Sequence, residues 1–110
     1  MTKKIDYSQF GCRKGFDPNN RFHLISIVKC QGRKYKISTV DLGMNYSFID
    51  GIELYYETMI FKLNNNDEEN NPFEYFQKRY STEEEAKKGH NEIVKLFETK
   101  KVDELLNDRY

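Results

Sequence analysis

The stretch 79–90 constrains the fold most, because it predicts where a helix begins and places a histidine on that helix's apolar face. Ser81, followed three residues later by Glu84, forms a capping box, and the acidic residues after Ser81 suit the positive end of the helix dipole. Apolar residues then recur at helical spacing, so we expect a helix over residues 81–98. The rest of the chain has to provide a surface for this helix to cover.

The residues ahead of the helix favour β-strands. Residues 22–30 and 33–42 are rich in β-branched and aromatic side chains, and the intervening Gln31-Gly32 predicts a hairpin. Residues 52–63 have the same preference, and residues 73–80 are expected to form a fourth strand. Strands followed by a helix predict an α+β fold, in which a small antiparallel sheet of three to four strands carries one long C-terminal helix.

The length of 110 residues suits one hydrophobic core. We therefore expect a single domain over residues 1–110. Within it, residues 1–21 are predicted to be a basic arm without regular structure, and residues 22–80 to form the sheet. Residues 64–72 are predicted to be an Asn-rich loop in that sheet region, and residues 99–110 a tail.

Composition limits the location and the chemistry of the chain. No segment approaches the roughly 20 apolar residues that span a bilayer, and residues 1–10 hold no apolar run typical of a signal peptide. Cys12 and Cys30 are the only cysteines, and they lie in no zinc-ligand spacing. We expect a cytoplasmic protein with reduced thiols, no membrane contact, no bound metal and no cofactor.

Two polar side chains in apolar segments are candidate functional residues, and the first is His90. Helical spacing places it on the same face as Ala86, Ile93 and Phe97. It is either a core histidine held neutral by a hydrogen bond to a Tyr or to Glu57, or a ligand contact or general base in a cleft.

The second is Glu57, which interrupts an apolar strand. If the helix covers its face of the sheet, Glu57 needs a cationic or donor partner, for which Arg79 and His90 are the candidates. If that face is solvated, Glu57 is simply exposed. The sequence leaves both possibilities open.

The net charge of zero hides an uneven distribution. Residues 1–40 hold nine Lys and Arg against two Asp, whereas residues 41–110 hold nine against sixteen Asp and Glu. Such asymmetry is typical of a basic surface that binds an anionic partner, of head-to-tail self-association, or of ordinary surface scatter. The candidate basic patch comprises Arg13, Lys14, Arg33, Lys34 and Lys36.

The motifs of common enzyme classes are missing from the sequence: there is no Gly-rich phosphate loop, no GxSxG and no HExxH. A Cys–His dyad has no local signature either. The sequence also contains no RRM-type motif, recognition helix or zinc finger. We therefore expect a binding protein and not an enzyme.

Three blocks occur in order along the chain: Ser-Thr-Val-Asp-Leu-Gly at 38–43, Tyr-Glu-Thr-Met-Ile-Phe at 56–61, and Arg-Tyr-Ser-Thr-Glu-Glu-Glu-Ala at 79–86 followed by Gly-His. In this succession the chain resembles a family of short proteins encoded by tailed bacteriophages and prophages. The resemblance covers roughly residues 37–97. It implies a phage origin and a common site formed by Glu57, Thr58, Arg79 and His90, and it implies no activity.

A phage origin favours a counter-defence protein that acts stoichiometrically in the cytoplasm of the infected host cell. Our leading hypothesis is that it sequesters an anionic nucleotide immune signal, since Arg supplies bidentate donors and Tyr a stacking face. A homo-oligomer would help such a small domain to form a pocket. The candidate ligand-binding residues are Arg79, His90, Glu57, Thr58, Tyr56 and Thr39.

Three alternatives stay open. The first is an anti-CRISPR-like protein–protein inhibitor of a host immune protein, in which acidic residues 67–69 and 83–85 mimic nucleic-acid charge. The second is a small nucleic-acid-binding accessory protein that uses the basic patch. The third is a small hydrolase that uses His90.

Overall fold

The computed structural model describes residues 6–47, 49–99 and 101, and within residues 70–75 it describes the backbone only. The described part of the chain forms one antiparallel sheet in the strand order β1-β2-β3-β4, followed by a helix, α1. The predicted α+β fold is confirmed, including its fourth strand. The elements are β1 (His23–Cys30), β2 (Arg33–Asp41), β3 (Tyr56–Leu63), β4 (Glu69–Tyr80) and α1 (Glu83–Glu98).

The predicted hairpin joins β1 to β2. Gln31 and Gly32 both have positive φ, at 53° and 77°, which is the conformation of a two-residue type I′ turn. The turn sets the register, in which Cys30 lies opposite Arg33. Because side chains alternate along a strand, this register decides which residues of the hairpin face the helix.

The connection between β3 and β4 is shorter than predicted. The Asn64 side chain accepts hydrogen bonds from the backbone N–H groups of Asn66 and Glu68, which closes a tight turn. β4 then starts at Glu69, and Leu63 pairs with Glu69. The predicted loop 64–72 is therefore a turn followed by strand, because pairing with β3 overrides the weak strand preference of Asn. The predicted start of β3 was also wrong, because the strand begins at Tyr56 and not at residue 52.

The start of α1 differs by one residue from the prediction. Thr82, not Ser81, is the N-cap: its backbone is extended and its Oγ1 accepts a hydrogen bond from the N–H of Glu85 at 3.1 Å. Ser81 and Thr82 are each followed by a glutamate three residues later, so the capping-box pattern fits both residues equally well. The predicted end of the helix at Glu98 is confirmed.

The helix covers one face of the sheet, which we call the helix-side face, and we call the other the open face. The main core lies under the C-terminal half of α1, and a smaller cluster of Tyr56, Tyr80 and Ala86 lies under its first turns. A Cβ atom added to Gly89 would lie 2.4 Å from the Tyr80 Oη, so the close approach of α1 to β4 requires glycine there. The main core comprises Val28, Cys30, Ile37, Ile60, Phe76, Ile93 and Phe97.

The N-terminal arm, predicted to lack regular structure, contains a short 3-10 helix (Tyr7–Phe10) and a fixed anchor. The anchor is Arg13, whose guanidinium donates two hydrogen bonds to the buried carboxylate of Asp41. These bonds raise the pKa of Arg13 above its ordinary value. The rings of Phe16, Tyr55 and Tyr56 surround the guanidinium, with centroids 5.3–5.9 Å from its central carbon.

The predicted tail lies outside the described residues from residue 102 onward. Among the residues that are described, α1 is neither long nor apolar enough to cross a membrane, and no other helix is.

Candidate functional site

Four polar side chains form a hydrogen-bonded line across the helix-side face, and we call it the buried network. His90 Nδ1 lies 2.7 Å from Thr39 Oγ1, and His90 Nε2 lies 2.8 Å from Ser26 Oγ. Thr39 Oγ1 lies 2.5 Å from Thr58 Oγ1. Thr39 and Thr58 are fully buried, and His90 is only 2% exposed.

Strand register explains why these residues meet. Thr39 on β2 and Thr58 on β3 are direct partners, so both side chains point to the same face of the sheet. Helical spacing turns His90 toward that face, as predicted. Ser26 was missed, because a lone serine in a β-rich run gives no signal that it faces a histidine 64 residues away.

The buried network suits a structural role for His90. Burial lowers the pKa of His90, and its hydrogen-bond partners are hydroxyl groups that carry no negative charge to stabilise a cation. In the neutral ring one nitrogen donates and the other accepts, and a hydroxyl group serves each role. Of the predicted alternatives, the core histidine fits, although its partners are Ser26 and Thr39 and not a Tyr or Glu57.

Tyr80 stands beside the buried network. Its hydroxyl is buried and makes no hydrogen bond to any described residue. Burial raises the pKa of Tyr80, and the neighbouring Thr58 hydroxyl lowers it by a smaller amount.

A second polar cluster lies on the open face around Glu57. The Glu57 carboxylate accepts hydrogen bonds from Arg79 Nε at 2.9 Å and from Gln77 Nε2 at 2.6 Å. Arg79 also donates to the backbone carbonyl of Tyr46 and lies 5.2 Å from the centroid of its ring. Glu57 is thus buried on the face that the helix does not cover, a combination that neither sequence alternative included, and Arg79 is its cationic partner.

The sheet separates the six candidate ligand-binding residues. Successive side chains on a strand point to opposite faces, so Glu57 and Thr58 cannot share a pocket. The common site suggested by the family resemblance is therefore not formed as one cluster. Thr39, Tyr56, Thr58 and His90 lie on the helix-side face, whereas Glu57 and Arg79 lie on the open face.

The predicted basic patch is also dispersed. Arg13 binds Asp41, which is the last residue of β2, whereas Arg33 is its first residue. At roughly 3.3 Å per residue, Arg33 and Asp41 lie about 26 Å apart along the strand. Lys34 and Lys36 form ion pairs with the acidic residues of the β3–β4 turn region, Asp67 and Glu69. These ion pairs reduce the positive charge that a polyanion would meet. They also neutralise two of the acidic residues 67–69, which the charge-mimicry hypothesis requires.

The open face carries a feature that the sequence argument missed. Ile25 and Ile27 on β1 are 52% and 55% exposed. Ser38 and Met59 continue the row from Ile25, while Lys36 and Phe61 continue the row from Ile27. The alternation of isoleucines in β1 was the available signal. We call the whole set the open apolar surface: Ile25, Ile27, Val40, Met59, Phe61 and Leu63.

Metal binding finds no support in the described part of the chain, where no three His, Cys, Asp or Glu side chains are grouped to hold an ion. Comparison with protein-family models, with curated proteins and with solved structures finds no match for this chain.

Proposed function

We propose that this chain is a non-catalytic binding protein that acts stoichiometrically on a protein target, and that the open apolar surface makes the contact. The observation that carries this proposal is the exposure of Ile25 and Ile27 on the sheet face opposite α1. Their rows continue through Ser38 and Lys36 of β2 to the half-buried Met59 and Phe61 of β3. An apolar patch bordered by polar residues is typical of a surface that binds another protein.

The border of this surface along β1 is basic. Arg21 and Lys29 are exposed, and neither has an ion-pair partner among the described residues. Burial lowers the pKa of His23, and the nearby charges of Arg21 and Lys36 lower it further. A target that presents acidic groups around an apolar centre complements this arrangement.

The opposite border is fixed by the cluster of Glu57, Gln77 and Arg79. Its hydrogen bonds and the Tyr46 ring hold these polar side chains in one arrangement. A surface that is already ordered loses less conformational entropy on binding. This favours a tight stoichiometric complex over a transient contact.

The biological setting that we propose is the one implied by the family resemblance. In this setting, a phage-encoded protein binds a defence protein in the cytoplasm of the bacterial host and thereby inhibits that defence protein. This corresponds to the protein–protein inhibitor among the sequence hypotheses, with an apolar contact in place of acidic mimicry. The acidic residues 83–85 lie in the first turn of α1, near Tyr56 and Tyr80. Asp67 and Glu69 lie at the other end of the sheet, beside the β1–β2 turn, which we call the hairpin end. The two acidic groups therefore do not form one surface.

Affinity capture from a bacterial host lysate, followed by quantitative mass spectrometry, tests this function. Ile25→Glu places a charge in the open apolar surface, and Asn91→Glu makes the same kind of change at an exposed position of α1. We expect the wild type and Asn91→Glu to capture the same protein at fixed stoichiometry. Ile25→Glu should reduce capture at least about tenfold, since an unpaired charge would be buried on binding. Equal capture by all three proteins would contradict the proposal.

A second candidate function, sequestration of an anionic nucleotide, is favoured by one recess at the hairpin end of the sheet. The recess has a volume of about 280 Å³, and two lysines, Lys29 and Lys34, are among the residues that line it. Lysine ammonium groups can bind phosphate. Lys34 is already paired with Asp67, which leaves Lys29 as the main contact. The recess is lined by Lys29, Gly32, Lys34, Leu63, Asn64 and Asn65.

Native mass spectrometry with cyclic dinucleotides and ADP-ribose derivatives tests this second candidate. A discrete adduct that is lost in Lys29→Ala and kept in Lys88→Ala, an exposed lysine of α1, would support it. A protein that stays bare with every nucleotide would exclude it. The same spectra report whether the chain forms the predicted homo-oligomer.

A further inference from the structure

β1 is an edge strand, and no strand in the described part of the chain pairs with its outer side. It is eight residues long and contains no proline. Natural proteins protect such an edge with charges, bulges or a covering segment, because its unpaired N–H and C=O groups can bind another strand. Here the middle of the edge carries two exposed isoleucines instead.

The hairpin determines which backbone groups face outward. In a two-residue hairpin the pair beside the turn exchanges both hydrogen bonds, and hydrogen-bonded pairs then alternate along the ladder. Cys30 is therefore bonded to β2, as are the other even-numbered residues of β1. The N–H of Asp41 donates to the carbonyl of Phe22 at 3.0 Å, in agreement with this alternation. The odd-numbered residues consequently direct their N–H and C=O groups away from the sheet: His23, Ile25, Ile27 and Lys29.

These same four residues present their side chains on the open face. In order they are a histidine next to Arg21, two isoleucines and a lysine. Backbone groups that can pair, apolar side chains in the middle and basic groups at both ends thus coincide on one strand. This is the arrangement that recognises an added strand by its backbone and selects it by alternate side chains.

We propose that the protein target is held by strand addition to the outer edge of β1, through an extended segment that is apolar in its middle and acidic at both ends. This inference rests on the proposed function and names the chemistry of the partner. One acidic residue of the segment lies at the His23 end of β1, near Arg21, and the other lies at the Lys29 end. The apolar residues of the segment pack on Ile25 and Ile27. Because basic groups stand at both ends of β1, the same segment pattern fits in either direction.

A second copy of this chain complements the edge less well. Antiparallel pairing of two β1 strands about Ser26 would place Lys29 opposite His23 of the other copy and close to its Arg21. The two cations of this pairing, Lys29 of one copy and Arg21 of the other, would repel each other. His23 adds little, since its lowered pKa favours the neutral ring. The basic ends therefore disfavour self-association while they favour an acidic partner.

A labelled synthetic peptide tests the inference with the full chain. The probe is fluorescein-Thr-Glu-Thr-Val-Thr-Val-Thr-Glu-Thr-amide, and the control peptide has Lys in place of both Glu. By fluorescence anisotropy we expect the Glu peptide to bind at least about tenfold more tightly than the Lys peptide, with an affinity that falls as salt rises. Lys29→Glu should reduce this preference at least about tenfold. Failure of the Glu peptide to bind, or equal binding of both peptides, would overturn the inference.

A backbone variant separates strand addition from simple contact with the isoleucines. Ile27→Pro removes an outward N–H without removing a ladder hydrogen bond, and Ile27→Val keeps that N–H. We expect Ile27→Pro to abolish peptide binding and Ile27→Val to retain it. Hydrogen exchange of the Ile25 and Ile27 amides should slow at least about tenfold when the Glu peptide is added. Unchanged exchange would contradict pairing at this edge.

The captured host protein distinguishes this inference from the proposed function. If Ile25→Glu loses the target but Ile27→Pro keeps it, the open apolar surface is the contact and strand addition is wrong. If Ile25→Glu keeps the target, the proposed function itself fails. A dimer that Ile27→Pro dissociates would assign the edge to a second copy and also overturn the inference.

Discussion

His90 couples the stability of the protein to pH. Burial lowers its pKa below the ordinary value of 6.5, so the native state binds fewer protons than the unfolded state in and below that range. We expect its full contribution to stability above about pH 6.5, and a loss as the pH falls through the native pKa. The slope from this one group cannot exceed about 1.4 kcal/mol per pH unit.

Thermal unfolding between pH 7.5 and 5.5 measures this effect, in a range above the ordinary carboxylate pKa values. His23→Gln is the matched control, because it removes the exposed histidine and leaves His90 in place. We expect the control to keep most of the pH dependence. If His23→Gln removed it, His23 and not His90 would be the responsible group.

At the residue scale, the sequence predicted the direction in which the His90 side chain points better than it predicted the hydrogen-bond partners of that side chain. Helical spacing placed His90 toward the sheet correctly. Its contacts with Ser26 and Thr39 span 64 and 51 residues, and depend on the register of three separate elements. No local pattern contains that register, so the hydroxyl partners could not be predicted.

At the scale of elements, the N-cap of α1 gives a direct test between two adjacent hydroxyl groups. Thr82 Oγ1 accepts the N–H of Glu85, whereas Ser81 makes no such bond at the helix start. We expect Thr82→Ala to lower the free energy of unfolding by about 1 kcal/mol, and Ser81→Ala to change it by less than about 0.5 kcal/mol. Urea denaturation of the two variants provides the measurement. The reverse order would restore the N-cap that the sequence predicted.

The strand boundaries show where element prediction fails and why. Composition indicated a loop through Pro72, yet β4 runs from Glu69 because β3 offers it a partner. Proline is tolerated there because β4 lies at the edge of the sheet. Local preference predicted that a strand exists, while pairing across the sheet decides where it begins.

At the scale of the whole molecule, folding mixes the charges that the sequence keeps apart. Lys34 and Lys36 belong to the basic part of the chain, but β2 places them against Asp67 and Glu69. In the described part of the chain, the basic residues without an ion pair include Arg21 and Lys29 beside and on β1, and others lie on β2, β4 and α1. The charge asymmetry therefore survives as a basic border to the open apolar surface, and not as the patch that the sequence predicted.

The attachment of the arm to the sheet depends on one partly buried ion pair. Removing Arg13 would leave the Asp41 carboxylate, which is 4% exposed, without its cation. We expect Arg13→Ala to lower the free energy of unfolding by about 1–3 kcal/mol. This is less than for a fully buried pair, because the Arg13 side chain is 32% exposed and the Gly43 N–H still donates to Asp41. Hydrogen exchange should become faster along the arm, from Tyr7 to Arg21, before the sheet is affected.

Lys14→Ala is the matched control, because Lys14 is an exposed cation on the same arm with no ion pair among the described residues. It should change stability by less than about 0.5 kcal/mol. Adding Asp41→Asn to Arg13→Ala should recover part of the loss, since the double variant no longer buries an unpaired charge. Equal effects of Arg13→Ala and Lys14→Ala would mean that the surrounding rings hold the arm without the ion pair. No recovery in the double variant would mean that the guanidinium acts through its contacts with those rings and not through the charge of Asp41.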